Sequence, residues 1–264
     1  MLVTHRPQSD PKLRGRLDPD FWHPDYERVL DECVLPLVSL GEFLTLITYG
    51  PIVTGREPSA SAGGQLDLGF GGAEDIPVVD QGQVGDCGVD LRGARRVPEG
   101  SPWDHPRARL QCGDIVFPRS GVGSVARNRV AVFLQRGPAL VGSFVDRLQL
   151  TGIDPVYVLL CLRSELVWSQ IHRITNGVGT PNISFDEIRS LRIPWLPEGP
   201  GGTVGTPTTQ QDFRQAFLQQ VHPLHLRYLE GDVEAQTQAS EALSSVLRAL
   251  NSLVFGRRDR KMAD

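Results

Sequence analysis

Late in the chain, the run Glu198 to Thr209 (Glu-Gly-Pro-Gly-Gly-Thr-Val-Gly-Thr-Pro-Thr-Thr) has neither the apolar side chains to join a core nor the propensity for a helix or strand. By composition it is a linker. It constrains the fold because the sequence changes character across it. Before it lie short apolar runs bounded by glycines and polar turns. After it, from Gln210 to Phe255, apolar residues recur at helical spacing. The chain is therefore expected to be α+β, a curved sheet with packed helices followed by a C-terminal helical, coiled-coil-like arm.

In that arm Pro223 forces a kink or break. Leu226, Leu229, Val233, Gln236, Ser240, Leu243, Leu247, Leu250 and Val254 then alternate three and four apart. This is an a/d heptad seam, polar at Gln236 and Ser240. Continuous, it would run roughly 40 Å. Gly231-Asp232 could instead end one helix and cap the next. The apolar members Leu226, Leu229, Val233, Leu243, Leu247, Leu250 and Val254 are the candidate assembly residues.

Two stretches organise the rest. The first runs from Gly113 to Ala126, with Ile115 to Phe117 as a buried strand and a Pro-Arg-Ser-Gly turn behind it. Arg119 and Ser120 are expected at the tip of this strand-loop-strand, where an arginine carries little core packing. Such a tip can meet a phosphate or a base edge, or be an ordinary hairpin with a solvated arginine. The second runs from Gly177 to Ser184 and closes on Leu191 to Pro194. Asn182, after Pro181, could contact a base or stabilise the turn. Ile76 to Asp80 reads as a further strand ending at Gln81-Gly82-Gln83. Gln81 and Gln83 could pair with adenine or simply occupy a turn.

Between these, Pro24 is expected to open a helix through Leu35, and Val38 to Tyr49 mixes strand and helix signals. Glu57 to Asp75 reads as a flexible glycine-rich loop. Asp154 to Arg173 reads as one helix, N-capped by Asp154 with Pro155 at its first position. His172 near its end suits the helix dipole as a partial positive charge.

The formal net charge is −4, unexpected for a lone nucleic-acid binder. Residues 92–136, however, hold nine arginines (92, 95, 96, 107, 109, 119, 127, 129 and 136) and three acids (Glu99, Asp104, Asp114), so this segment is 9 − 3 = +6. That segregation is the footprint expected of a face meeting phosphates, unless the arginines pair with acids elsewhere. Arg92, Arg95, Arg96, Arg119, Ser120, Arg127, Arg129, Gln81, Gln83 and Asn182 are the candidate DNA-binding residues.

Cys33, Cys87, Cys112 and Cys161 are widely spaced and read as reduced thiols. His222 and His225 flank Pro223, which spoils a helical metal pair. No apolar run reaches the length of a membrane span, and no signal-peptide core precedes Asp20, so a cytoplasmic location is expected. There is no P-loop and no Asn/Asp-Pro-Pro-aromatic run, so neither a catalytic residue nor a cofactor is expected.

In order and spacing these stretches resemble a target recognition domain of a type I restriction-modification specificity subunit. That family has a strand ending in a Gly-Asp-Ile-Leu-like run, a polar Arg/Ser/Gly turn, a later Gly-x-x-x-Pro-Asn-Ile segment and a Leu-x-Ile-Pro exit. Here these are Gly113 to Val116, Arg119 to Gly121, Gly177 to Ile183 and Leu191 to Pro194. Arg16 to Tyr26 resembles the family's domain-entry motif, and the match extends to Pro197. The resemblance implies a mobile leader (1–16), one recognition domain (17–197), the linker (198–209), a spacer or assembly arm (210–255) and a tail (256–264). It implies a non-catalytic, DNA-binding subunit of a restriction-modification or related phage-defence complex. Its partners would be double-stranded DNA, a DNA adenine methyltransferase subunit, and a restriction or translocase subunit. Full family members carry two recognition domains and two spacers, whereas this chain has one of each. It would be half of a dimer paired through the arm, or part of another assembly. An adaptor that lost base reading and an enzyme with unrecognised catalytic residues remain the alternatives.

Overall fold

The structure is a computed structural model that describes residues 24–53, 75–121, 127–175, 182–199 and 207–256. The leader, the entry motif before Pro24, most of the Glu57 to Asp75 loop, the run Val122 to Ala126, the stretch Gly177 to Pro181, the middle of the linker and the tail lie outside the described residues.

The described elements begin with α1 (Pro24–Asp31), shorter than the expected reach to Leu35. The ambiguous stretch after it resolves into β1 (Leu37–Ser39), a 3-10 turn, and β2 (Leu44–Tyr49). Next come β3 (Asp75–Val79), β4 (Arg96–Pro98), β5 (Ile115–Pro118), β6 (Ala131–Val132), β7 (Leu140–Val141) and β8 (Val145–Leu150). The main sheet has the order β2-β8-β5-β6 and is antiparallel throughout. A smaller sheet, β4-β3-β7, pairs β3 antiparallel to β4 and parallel to β7.

Strands β5 and β6 of the main sheet are buried along their whole length and are continuous apolar runs, whereas β2 leaves Thr45 and Tyr49 exposed and β8 carries Asp146, Arg147 and Gln149. On one face Ile47, Ile115, Phe117 and Leu148 meet a helical layer. On the other, Val116, Ala131 and Val145 pack with Ile76, Val78, Val97 and Val141 of the smaller sheet.

The helical layer starts with α2 (Pro155–Arg163) and α3 (Glu165–Ile174). The Asp154 carboxylate accepts from the Val156 and Tyr157 amides, the cap its position suggested. The single helix expected from Asp154 to Arg173 is in fact two. Ser164 ends α2, where its hydroxyl donates to the Cys161 carbonyl, and caps α3, where it accepts from the Val167 amide. Residues Val156 to Leu162 are all buried, so α2 is apolar all round. His172 also departs from expectation. Burial against Trp168, its ring 4.4 Å away, lowers its pKa and disfavours the positive charge. A capping box at Ser184 and Glu187 then starts α4 (Phe185–Ser190), and β9 (Arg192–Pro194) closes on β1.

The C-terminal region corrects the expected arm. It consists of α5 (Gln210–Gln220), α6 (His222–Leu229) and α7 (Val233–Val254). Pro223 sits in the first turn of α6, where its missing amide hydrogen costs nothing. Gly231, at φ 109°, ends α6, and Asp232 caps α7 through the Ala235 amide. No continuous seam from Leu226 to Val254 exists. Phe213, Phe217, Val221, Ala239, Leu243, Val246, Leu250 and Val254 instead join the core formed with α2. Leu243, Leu250 and Val254, expected to face a partner, are thus buried within the chain. Leu229 and Leu247 are half-buried. Leu226 (41% exposed) and Val233 (74%) still reach solvent.

Candidate nucleic-acid interface

The two stretches that organise the sequence meet in space. Ser120 pairs by an antiparallel bridge with Asn182, and the Ile183 amide donates to the Arg119 carbonyl at 3.1 Å. The edge so formed lies where β5 leaves the main sheet. The Gln81 side-chain amide donates to the Ser120 carbonyl at 2.6 Å and approaches its hydroxyl at 3.3 Å. Gln81, Arg119, Ser120 and Asn182, four of the sequence-derived candidates, are therefore neighbours. The Asn182 side chain is exposed, whereas Ser120 is only 8% exposed. Ser120 is built into the edge rather than standing at a solvated tip.

Arg119 likewise departs from the expected loop-tip arginine. Its Nη2 donates to the Ser143 carbonyl at 2.9 Å, and its guanidinium carbon lies 4.1 Å from the centre of the Tyr49 ring. The Phe185 ring is 5.9 Å away on the same guanidinium and 6.0 Å from Tyr49. A cation stacked on an aromatic face gains electrostatic attraction while keeping its charge. The Arg119 amide also donates to the Phe144 carbonyl at 3.2 Å. Phe144 lies in the turn between β7 and β8 and is 56% exposed. Tyr49 and Phe144 thus add exposed aromatic surface to a polar edge.

Two glycines let these pieces converge. The Gly50 amide donates to the Gly142 carbonyl, and the Gly142 amide to the Val79 carbonyl, tying the ends of β2, β7 and β3 together. A Cβ on Gly50 would fall 1.6 Å from the Val141 carbonyl oxygen, and one on Gly142 would fall 2.1 Å from the Asp80 carboxylate.

Beneath Arg119 lies Asp146, which the sequence reading missed. It is on β8, opposite Tyr49 of β2 and Phe117 of β5, and is 0% exposed. Neither carboxylate oxygen has a hydrogen-bond partner among the described residues. The Arg119 Nε is 3.6 Å from Oδ1. Burial pushes the Asp146 pKa up to about 7, while the Arg119 charge pulls it down. An Asp-Arg pair set between the apolar residues Val145 and Leu148 was the signal available in the sequence.

The arginine-rich segment is only partly free to meet phosphates. Arg92 pairs with Asp90, stacks on Tyr228 and donates to the Tyr228 and Leu229 carbonyls, so it fastens the body to α6. Arg95 pairs with Asp80, Arg96 donates to the Asp75 carbonyl, and Arg109 pairs with Glu99 and Asp104. Arg107, Arg127 and Arg136 are exposed. Arg129 lines a cavity of about 150 Å³ between the Gly82 to Asp90 loop and the α6–α7 pair, with His225, Tyr228, Gln236 and Ser240. Gln83 is half-exposed on the neighbouring turn.

No family model matches the chain, and no curated protein matches it. Among solved structures it is similar to the type IIG restriction endonuclease BpuSI, at 10% identity and TM-score 0.49, over 88% of this chain and 33% of that one. It is similar to the HsdS subunit from Thermoanaerobacter tengcongensis at 14% identity and TM-score 0.39, over 94% and 54%. A chain from a structural study of complex assembly and conformational transition in the type I R-M system gives 15% identity and TM-score 0.40, over 92% and 54%. The chain thus spans between a third and about half of the length of these structures.

Proposed function

We propose that the chain is a non-catalytic DNA specificity subunit of a restriction-modification complex or a related phage-defence methyltransferase complex. The observation that carries this reading is the pairing of Ser120 with Asn182. It gathers a guanidinium, two side-chain amides and exposed aromatic rings on one rigid edge. Amide side chains can pair with adenine, arginine with guanine or phosphate, and apolar rings with the thymine methyl. Phosphate contacts from Arg107, Arg127 and Arg136 would set register, while the edge would read bases. Double-stranded DNA is then the ligand. A DNA adenine methyltransferase subunit, with or without a restriction or translocase subunit, would supply the chemistry. The half-buried or exposed residues Leu226, Leu229, Val233 and Leu247 are what remains of the assembly surface for such a partner or a second copy.

One observation favours a second reading. Arg92, Arg95, Arg96 and Arg109 all serve contacts within the chain. That leaves a modest cationic surface and suits an adaptor that kept the fold without reading bases. Selection of bound duplexes from a random pool, repeated at several salt concentrations, separates the two. Enrichment of a defined sequence supports the specificity subunit. Salt-sensitive binding without enrichment, or no binding, supports the adaptor.

A further inference from the structure

We infer that Asp146 is the positioning residue of the recognition edge: its buried carboxylate holds the Arg119 guanidinium over Tyr49, in the orientation in which Arg119 meets DNA. This rests on the reading that the edge contacts DNA.

Asp146 sits mid-sheet between Val145 and Leu148, both buried and apolar. An apolar side chain would fill its slot without the cost of desolvating a carboxylate. Nothing in the sheet repays that cost by hydrogen bonding, since both oxygens lack partners among the described residues. Arg147, next in the strand, is committed on the opposite face to Asp114 at 2.6 Å. Around the carboxylate, β2 presents Tyr49 and β5 presents Phe117, and the cation that approaches is Arg119. Arg119 in turn is held by the Ser143 carbonyl, the Tyr49 and Phe185 rings and the Asp146 carboxylate. The hydrogen bond holds the guanidinium at Nη2 and the rings cover its face, and neither engages Nε. A fixed negative charge on the Nε side sets its plane and leaves Nη1 without a hydrogen bond among the described residues. Held in this way, Arg119 keeps Nη1 as a donor for a ligand, and the ordering of a flexible side chain is complete before DNA arrives.

The test compares the full chain with R119A, D146N and the double variant at pH 8. Affinity is measured for a selected duplex, and thermal unfolding is followed in parallel. If Asp146 acts through Arg119, each single variant weakens binding by a similar factor, roughly tenfold, and the double variant loses no more. D146N should melt at or above the wild type, which a merely structural acid would not allow. Should D146N fold poorly, Asp146→Leu matches the apolar slot and takes its place. The nitrogen-15 signal of Arg119 Nε–H provides a readout without DNA: slow solvent exchange in the wild type, rapid exchange in D146N. Multiplicative losses, wild-type affinity in D146N, or an unchanged Nε–H signal would each overturn the inference. A wild type that binds no DNA sinks the recognition reading instead, and the Nε–H comparison still decides whether Asp146 holds Arg119.

Discussion

Arg147 donates from Nε to Asp114 at 2.6 Å, with the two side chains 5% and 4% exposed. The same carboxylate accepts from the Gln111 amide, and Arg147 Nη1 donates to the Arg107 carbonyl. The Gly-Asp at the head of the first organising stretch is therefore a structural clamp. Gly113, at φ 97°, turns the chain into β5, and Asp114 ties that turn to β8. Replacing Asp114 by Ala would strand a buried guanidinium and should destabilise the chain by about 3–5 kcal/mol. Urea unfolding of the variant would measure this, and a loss below 1 kcal/mol would mean that Arg147 finds another partner.

Leu243 and Val233 make opposite predictions for what looked like a single seam. Leu243 is 3% exposed against the core around α2, and Val233 is 74% exposed. Leu243→Ala should cost about 2–5 kcal/mol of stability, whatever its effect on assembly. Val233→Ala should change stability by less than about 0.5 kcal/mol. Denaturant midpoints decide the first. Sedimentation with and without a methyltransferase subunit decides whether Val233 serves a partner.

The paired and unpaired arginines of residues 92–136 should also separate. Arg127→Ala and Arg136→Ala remove exposed charges and should leave stability unchanged while lowering the salt slope of DNA binding by about 1 each. Arg92→Ala removes contacts to Asp90 and to the Tyr228 ring and carbonyl. It should instead lower the thermal midpoint with little effect on the salt slope. Equal salt effects for all three would return Arg92 to the DNA surface.

What was legible in the sequence followed from local rules. Strand Ile115–Pro118, the Asp154 cap and the helices after Gln210 need only neighbours in the chain to be recognised. The Gly231-Asp232 break was visible as an alternative but not decidable, because a heptad pattern and a helical core face share their spacing. Which one forms depends on whether α2 offers an apolar surface to cover. The sequence put Arg119 beside Ser120 at the end of β5, but did not show the surroundings that hold its side chain. Its ring partner Tyr49 and its acid Asp146 come from strands distant in sequence, and only the register of β2, β8 and β5 sets them together. The segregation of arginines was real in composition, but Asp80 and Asp90 fold back onto the segment from outside it, and Glu99 and Asp104 within it pair with Arg109.

Asp146 carries the last prediction, a pH dependence of stability. Burial raises its pKa from an ordinary carboxylate value to about 7. The folded chain therefore binds this proton more tightly than the unfolded chain does. The stabilising contribution is full below about pH 4 and is lost as pH rises towards 7. A shift of this size corresponds to a stability difference of up to roughly 4 kcal/mol between those limits. Asn at position 146 does not titrate, so the variant lacks this component. Unfolding free energies of wild type and Asp146→Asn, measured by urea at pH 5, 6, 7 and 8, should diverge in favour of the variant as pH rises and run parallel above pH 8. Curves that stay parallel from pH 5 upward would mean that Asp146 is already ionised and fully paired with Arg119 in the folded chain.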